Sequence, residues 1–180
     1  MTRLPTSQAN RGMTLERLIE ASNAAYAGRG LAMVNKLPTP IKVSRVEGSR
    51  ISLAHFEAKS TVDFHGVYHG HALYFDAKQT TQEHRFPFDN VHPHQIEHLR
   101  ACMKAGAICF LIVEFTKRHE IFYVPGKLVI DAWDLGQQGG RKSIPYEDIA
   151  RQCYLVTQGR GVACDYLAVV DRLLEEVSVP

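Results

Sequence analysis

The stretch from Ser60 to Thr80 carries Thr61, Asp63, Asp76 and Lys78, and the two acids and the lysine have the types and spacing of metal-assisted chemistry. The apolar run Ala72-Leu73-Tyr74-Phe75 leads directly into Asp76-Ala77-Lys78 and reads as a buried strand. Side chains alternate along a strand, so Asp76 and Lys78 share a face, with Cα atoms about 6.5 Å apart. Asp63 lies upstream across a hairpin-like connection through Gly66 and Gly70. If it ends the neighbouring strand, two carboxylates and an ammonium converge at one edge. Two hard oxygen ligands can hold Mg²⁺ between themselves and a phosphate. The lysine can then stabilise charge on the phosphoryl oxygens or orient the attacking water. The outline is that of metal-dependent phosphodiester hydrolysis.

Spacing alone does not single out this stretch. Glu57-Ala58-Lys59 repeats the acid-x-lysine pattern, but in a mixed polar context that suits a solvated strand end. A rival comes from His94-Gln95-Ile96-Glu97-His98, which matches the H-x-x-E-H zinc-peptidase pattern. On a helix His94 and His98 would share a face and could bind Zn²⁺, with Glu97 activating water. Pro93 weakens this reading by placing His94 in the first helical turn, and no third ligand is evident downstream. A zinc metallopeptidase therefore stands as the lesser alternative.

These residues need a frame. A chain of 180 residues, 45% of them hydrophobic, can build one sizeable core and predicts one domain spanning 1–180. Residues 1–10 are polar and read as a flexible arm. No apolar run is long enough to span a bilayer, and no hydrophobic signal segment opens the chain. Cys102, Cys109, Cys153 and Cys164 show no CxxC pairing, which fits a reducing cytoplasm and no membrane partner. The net charge is only +2, yet it is uneven. Arg3, Arg11, Arg17, Arg29, Lys36, Lys42, Arg45, Arg50 and Lys59 face only Glu16, Glu20, Glu47 and Glu57 in the first third. Such a bias suits a polyanion, although a solvated surface also explains it.

Leu15, Leu18, Ile19, Ser22 and Tyr26 predict a helix from Met13 to Tyr26, stopped by Gly28 and Gly30. Glu16 complements the dipole of its first turn or reaches a metal site. Leu31 to Asn35 reads as a strand, cut by Pro38-Thr39-Pro40. Ile41 to Val46 and Ile51 to Phe56 read as a hairpin joined through Glu47-Gly48-Ser49. Lys42, Arg45 and Arg50, with few core-forming residues, make it a projection or a charge-protected edge. Gln79 to Asn90 reads as a polar loop and Val91 to Ala105 as a helix. Ala107 to Phe115 is the most hydrophobic run, a central strand, with Glu120 to Val124 as its hairpin partner. Gly139-Gly140-Arg141-Lys142-Ser143 is a glycine-hinged basic loop suited to phosphate. Tyr146 to Cys153 and Tyr166 to Val177 read as helices.

The chain resembles the RecU Holliday-junction resolvases of low-GC Gram-positive bacteria and some of their phages. The matching segments are Asn10-Arg11-Gly12-Met13 with Glu16, Lys36-Leu37-Pro38-Thr39-Pro40, Ser60-Thr61-Val62-Asp63-Phe64 with Gly66, and Phe75-Asp76-Ala77-Lys78. They continue through His94-Gln95-Ile96-Glu97-His98, Ile108-Cys109-Phe110, Gly140-Arg141-Lys142-Ser143-Ile144 and Asp165-Tyr166. The resemblance implies an α/β, restriction-endonuclease-like fold, a mixed sheet flanked by helices. It implies a homodimer with a protruding stalk, the hairpin of about 41–56. It also implies Mg²⁺, with Mn²⁺ as a substitute, held around Thr61, Asp63, Asp76 and Gln95, and Lys78 stabilising the transition state. Asp63, Asp76, Lys78 and Glu16 are then the catalytic candidates.

The implied substrate is a four-way or otherwise branched DNA, cut by paired symmetric nicks in recombination and repair. Arg11, Lys36, Lys42, Arg45, Arg50, Arg141 and Lys142 are the candidate DNA contacts. A recombinase or branch-migration helicase is an implied partner. Two departures stand out: family members usually have glutamate where this chain has Asp76, which bears on metal geometry and Mg²⁺/Mn²⁺ preference, and the N-terminal arm is shorter. A non-catalytic DNA-bridging protein, with Asp63 and Asp76 merely structural, is the other alternative.

Overall fold

Strands rich in aromatic and β-branched residues assemble one six-stranded sheet, in the order β1-β4-β5-β7-β8-β10. The computed structural model describes residues 14–38, 41–56 and 61–178. The expected N-terminal arm, Arg11, Thr39-Pro40 and the Glu57-Ala58-Lys59 match lie outside the described residues. The strands are β1 (Ala32–Lys36), β4 (Phe64–Tyr68), β5 (His71–Thr80), β7 (Ile108–Phe115), β8 (Glu120–Pro125) and β10 (Tyr154–Leu155). β5 and β7 are parallel, and every other pairing in the sheet is antiparallel. A parallel pair needs a long crossover. Here it runs through β6 (Arg85–Pro87), a 3₁₀ turn (Phe88–Asn90) and α2 (Pro93–Lys104).

Helices cover both faces of the sheet. On one, α1 (Leu15–Gly28) and α5 (Leu167–Ser178) pack against Phe64, Phe75, Phe110 and Tyr123. On the other, α2, α3 (Gly126–Gln137) and α4 (Tyr146–Gln152) pack against Leu111, Val113 and Val124. β7, the most hydrophobic segment, lies inside the sheet and feeds both cores. The fold is thus a mixed sheet flanked by helices, as expected.

β2 (Ile41–Glu47) and β3 (Arg50–Phe56) form a separate antiparallel ribbon. Its described apolar side chains stay outside both cores: Val43, Val46, Ile51 and Leu53 are all exposed. The ribbon is therefore apolar as well as basic.

Three local expectations change. The β4–β5 turn is made at His69-Gly70, both with positive φ, while Gly66 lies inside β4. A Cβ there would sit 2.3 Å from the Met33 carbonyl oxygen, so glycine is needed for the close approach of β1. Gln79 to Asn90 is not simply a polar loop. β5 runs on to Thr80, and Phe86 and Phe88 are buried anchors of a second ribbon, β6 with β9 (Ser143–Pro145). Finally, α3 has no counterpart among the expected elements. Pro125-Gly126 before it resembles a turn, and its start carries no side-chain cap.

Gly66→Ala should cost at least about 3 kcal/mol, because neither backbone nor the packed Val34 can yield. Gly28→Ala, with nothing within 4 Å of the added Cβ, should be neutral or stabilising by up to about 1 kcal/mol. Urea unfolding of the two variants checks this contrast.

Candidate active site

The register Phe64↔Phe75 between β4 and β5 sets Asp63 beside Asp76 just where β4 begins. Two hydrogen bonds cross between them. The Asp63 backbone N–H donates to Asp76 Oδ1 at 2.7 Å. The Ala77 N–H donates to Asp63 Oδ2 at 3.0 Å. Each carboxylate is thus oriented by a backbone amide of the other's strand. β1 closes the edge, as the Leu37 N–H donates to the Asp63 carbonyl at 2.8 Å.

Asp76 is fully buried, yet its Oδ2 has no hydrogen-bond partner, one of two such buried side-chain atoms among the described residues. Among the described residues the cation beside it is Lys78, whose Nζ lies 3.7 Å away. Burial pushes the Asp76 pKa up to about 7; Asp63 adds to the rise, and Lys78 opposes it. A carboxyl kept from water and offered too little positive charge is poised for a cation.

Lys78 is aimed by a helix. Its Nζ donates to Gln95 Oε1 at 3.3 Å, and the same oxygen accepts the His92 N–H at 3.1 Å. Pro93 takes the first position of α2, and Gln95, three residues beyond the N-cap, closes back on the N-cap amide. This half of a capping box fixes Gln95 at the rim. Gln95 is buried, whereas Thr61 is exposed just before Asp63. An oxygen set of Asp63, Asp76, Gln95 and Thr61 is chemically suited to a hard divalent cation, and the orphaned Asp76 oxygen fits one.

Glu16 goes elsewhere. Lys36 Nζ lies 2.6 Å from Glu16 and 3.0 Å from Glu20, a triad on the α1 side of the sheet at the end of β1. It borders Asp63 through Leu37, but no described contact joins Glu16 to Asp76 or Lys78. Lys36, a candidate DNA contact, has its charge offset there by two acids. Arg45 and Arg50 are exposed on the β2–β3 ribbon, and Arg141 and Lys142 are exposed between α3 and β9. Lys42 lies on β2, with its side chain outside the described residues.

The zinc-peptidase pattern is not completed. Among the described residues no group of three or more His, Cys, Asp or Glu side chains could hold a metal. The His94 ring stacks on His92, with centroids 5.4 Å apart, and His98 lies 3.4 Å from Cys102 Sγ. The residue of that segment turned to the acids' lysine is Gln95.

The family model described as RecU, Recombination protein U, matches residues 10–172. The chain belongs to the RecU family. It is 44% identical to the Holliday junction resolvase RecU of Levilactobacillus brevis, over 94% of this chain and 87% of that protein. It is 39% identical to the RecU resolvase of Pediococcus pentosaceus, over 97% and 89%. Among solved structures it is similar to Archaeoglobus fulgidus Hjc, titled a Holliday junction resolvase from an archaeal hyperthermophile. That likeness has a TM-score of 0.42 at 13% identity, over 76% of this chain and 92% of that chain.

The geometry of this segment turns on Gln95. Spacing alone marked its two histidine neighbours, although Pro93 with Gln95 two residues later already carries a helix-start signature. The missed residues are backbone groups: the amides of Asp63, Ala77 and His92, which no side-chain motif encodes.

The raised Asp76 pKa has a measurable sign. Between its ordinary value of 3.8 and about 7, the native state holds a proton that the unfolded chain has released. Asp76 therefore lowers stability as pH rises through that window. In chelator, Asp76→Asn should raise the unfolding free energy at pH 8 by about 1–4 kcal/mol and leave it unchanged near pH 3.5. Denaturant melts at the two pH values read this directly.

Proposed function

We propose that the protein is a divalent-metal-dependent endonuclease that resolves four-way DNA junctions. The observation that carries this reading is the crossed Asp63–Asp76 pair, with its unpartnered buried oxygen beside a lysine aimed by Gln95. Family membership supplies the substrate: curated relatives of this length and similarity are named Holliday junction resolvases.

In this reading Asp63 and Asp76 hold the cation, with Thr61 contributing a neutral oxygen at the rim; Gln95, whose single oxygen accepts from Lys78 and His92, would join them by exchanging the Lys78 bond for the cation. The nuclease family implies a divalent metal; Mg²⁺, with Mn²⁺ as a substitute, is the proposed ion. When bound, it supplies Lewis-acid polarisation of the scissile phosphate and eases deprotonation of the attacking water. Lys78 then donates to a phosphoryl oxygen as negative charge builds there. Gln95 restrains the lysine without neutralising it, because an amide oxygen accepts a hydrogen bond but carries no charge. Asp76 must give up its proton for the cation to bind, so activity should rise with pH toward neutrality. Glu16, engaged with Lys36, is a positioning residue in this scheme.

The rest of the assignment follows the same logic. The chain acts as one nuclease domain, and the β2–β3 ribbon is its stalk. Two copies related by a twofold would give the paired nicks that a symmetric junction requires. The exposed Val43, Val46, Ile51 and Leu53 give two such ribbons an apolar surface to share, and Lys42, Arg45 and Arg50 are the ribbon's proposed DNA contacts. The site of action is the cytoplasm. Among the described residues no helix is long and apolar enough to cross a membrane.

Asp63→Asn, Asp76→Asn and Lys78→Ala should each lose at least ~10²-fold in the cleavage rate of a synthetic four-way junction, and should still bind it. Gln95→Ala should lose less, since water can replace a neutral ligand. His98→Ala should cleave normally. Near-native cleavage by Asp63→Asn or Lys78→Ala removes that residue from the site. Junction binding without any divalent-dependent cleavage by the native protein would leave a bridging protein instead.

A further inference from the structure

Away from the carboxylates, the ribbon of β6 and β9 carries a positive concavity that the scheme above does not use as a unit. Phe86 and Ile144 are paired in register and buried, so they root the ribbon in the core. Strand alternation then puts Arg85, Ser143 and Pro145 on the opposite, outward face. With His84, Arg141 and Lys142 they line a hollow of about 370 Å³.

The hollow is held rigidly. The Phe88 N–H donates to the Lys142 carbonyl at 3.1 Å, and the Tyr146 N–H donates to the His84 carbonyl at 2.9 Å. At its far end α3 stops at Gln137 and is followed by Gly139, with φ 91°, and Gly140. The Gly140 N–H donates to the Leu135 carbonyl at 2.9 Å. A Cβ on Gly140 would lie 2.7 Å from that same carbonyl oxygen. Two glycines are therefore required to turn the chain back and deliver Arg141 and Lys142 to the hollow.

Its charge is uncompensated. Elsewhere Lys36, Arg100, Lys127, Arg151, Arg160 and Arg172 each lie within salt-bridge distance of a carboxylate. Among the described residues no carboxylate pairs with Arg85, Arg141 or Lys142. Arg85 Nε donates to the neutral Gln82 Oε1 at 2.6 Å, which fixes its direction and leaves its charge intact. Two neighbouring acids are engaged elsewhere: Glu83 with Lys117 at 3.6 Å and Asp148 with Arg151 at 2.7 Å. Three exposed cations gathered on a rigid ribbon without an acid are costly to leave facing one another and suit a polyanion.

The hollow also has a fixed relation to the candidate active site. β5 runs from Asp76 and Lys78 to Thr80, and the chain then makes β6 before returning as α2 to hold Lys78. The Asn90 side chain closes this excursion on the Gln79 carbonyl at 3.3 Å. β6, β9 and α2 share one core, so the ribbon that carries the hollow packs on the same side of the sheet as α2, the helix that holds Lys78.

We propose that His84, Arg85, Arg141, Lys142 and Ser143 form a second phosphate subsite, which grips the DNA backbone of the cleaved arm a few nucleotides from the scissile bond. This rests on the junction-nuclease reading and adds to it a fixed outer anchor that sets where the strand crosses the carboxylates. Arg85 and His84 enter as DNA contacts, joined to Arg141 and Lys142 in one cradle rather than scattered over the surface.

The test uses the full chain and a synthetic four-way junction in which single backbone phosphates are replaced by neutral methylphosphonates. Arg85→Ala and Arg141→Ala should each weaken junction binding about three- to tenfold and lower the slope of log affinity against log salt by about 1. Arg172→Ala, on α5 across the sheet, should change neither. In the native protein one methylphosphonate position away from the cleaved bond should weaken binding, and that effect should vanish when Arg85→Ala and Arg141→Ala are combined in one chain. Melting curves exclude unfolding, and the methylphosphonate scan on the native protein needs no variant at all. Native affinity and slope in both variants, equal losses with Arg172→Ala, or a scan with no such outer position would overturn the subsite while the nuclease stands. A native protein that neither binds nor cleaves the junction would overturn both.

Discussion

Everything at the candidate site depends on two hydrogen bonds that cross between the start of β4 and the middle of β5. Each takes a backbone amide from one strand to an aspartate of the other, so the ladder itself orients the carboxylates. The arrangement consumes Asp76 Oδ1 and Asp63 Oδ2 and leaves Asp76 Oδ2 buried with nothing to bond. That atom costs stability in the metal-free protein, which is the usual trade at a site whose charge is meant to be completed by a ligand. A glutamate in place of Asp76 would carry its carboxylate one methylene further from the strand than the oxygen that makes the 2.7 Å bond to the Asp63 amide.

The surroundings serve the same constraint. Glycine at position 66 lets β1 lie close against β4, and β1 in turn holds the Asp63 carbonyl through Leu37. Phe64, Phe75 and Phe110 stack across three strands, with centroids 5.0 and 4.5 Å apart, and tie the inner strands into the α1 core directly behind the acids. On the other face the Pro93 start of α2 and the capping role of Gln95 direct Lys78. The arrangement thus has a rigid back wall of rings and a front rim made of a helix terminus, as a preorganised electrostatic site requires.

Much of this was legible in the chain. Asp76-Ala77-Lys78 after an apolar run encodes a strand that puts acid and lysine on one face, and that is where they lie. The helices around Leu18, Ile96 and Leu167 and the central strand at Ile108–Phe115 follow from their periodicity. Other features were not legible. Phe86 and Phe88 sit in a short polar stretch, where only tertiary packing makes a ribbon. α3 begins at Pro125-Gly126, a turn signal that its burial against β7 overrides. Glu16 has the residue type of a metal ligand, yet Lys36, two strands from Asp76, captures it. Charge pairing across a fold is a three-dimensional fact that no local spacing reports.

The central claim is that Asp76 Oδ2 is one side of a divalent-cation site. The most direct measurement is the melting temperature of the native protein and of Asp76→Asn at pH 8 as Mg²⁺ is raised from zero, without DNA. Binding to the native state alone must stabilise it by mass action, so the native protein should melt progressively higher with Mg²⁺ while the variant stays flat. A native protein whose melting temperature ignores Mg²⁺ and Mn²⁺ alike, or a variant that responds as strongly, would contradict the account.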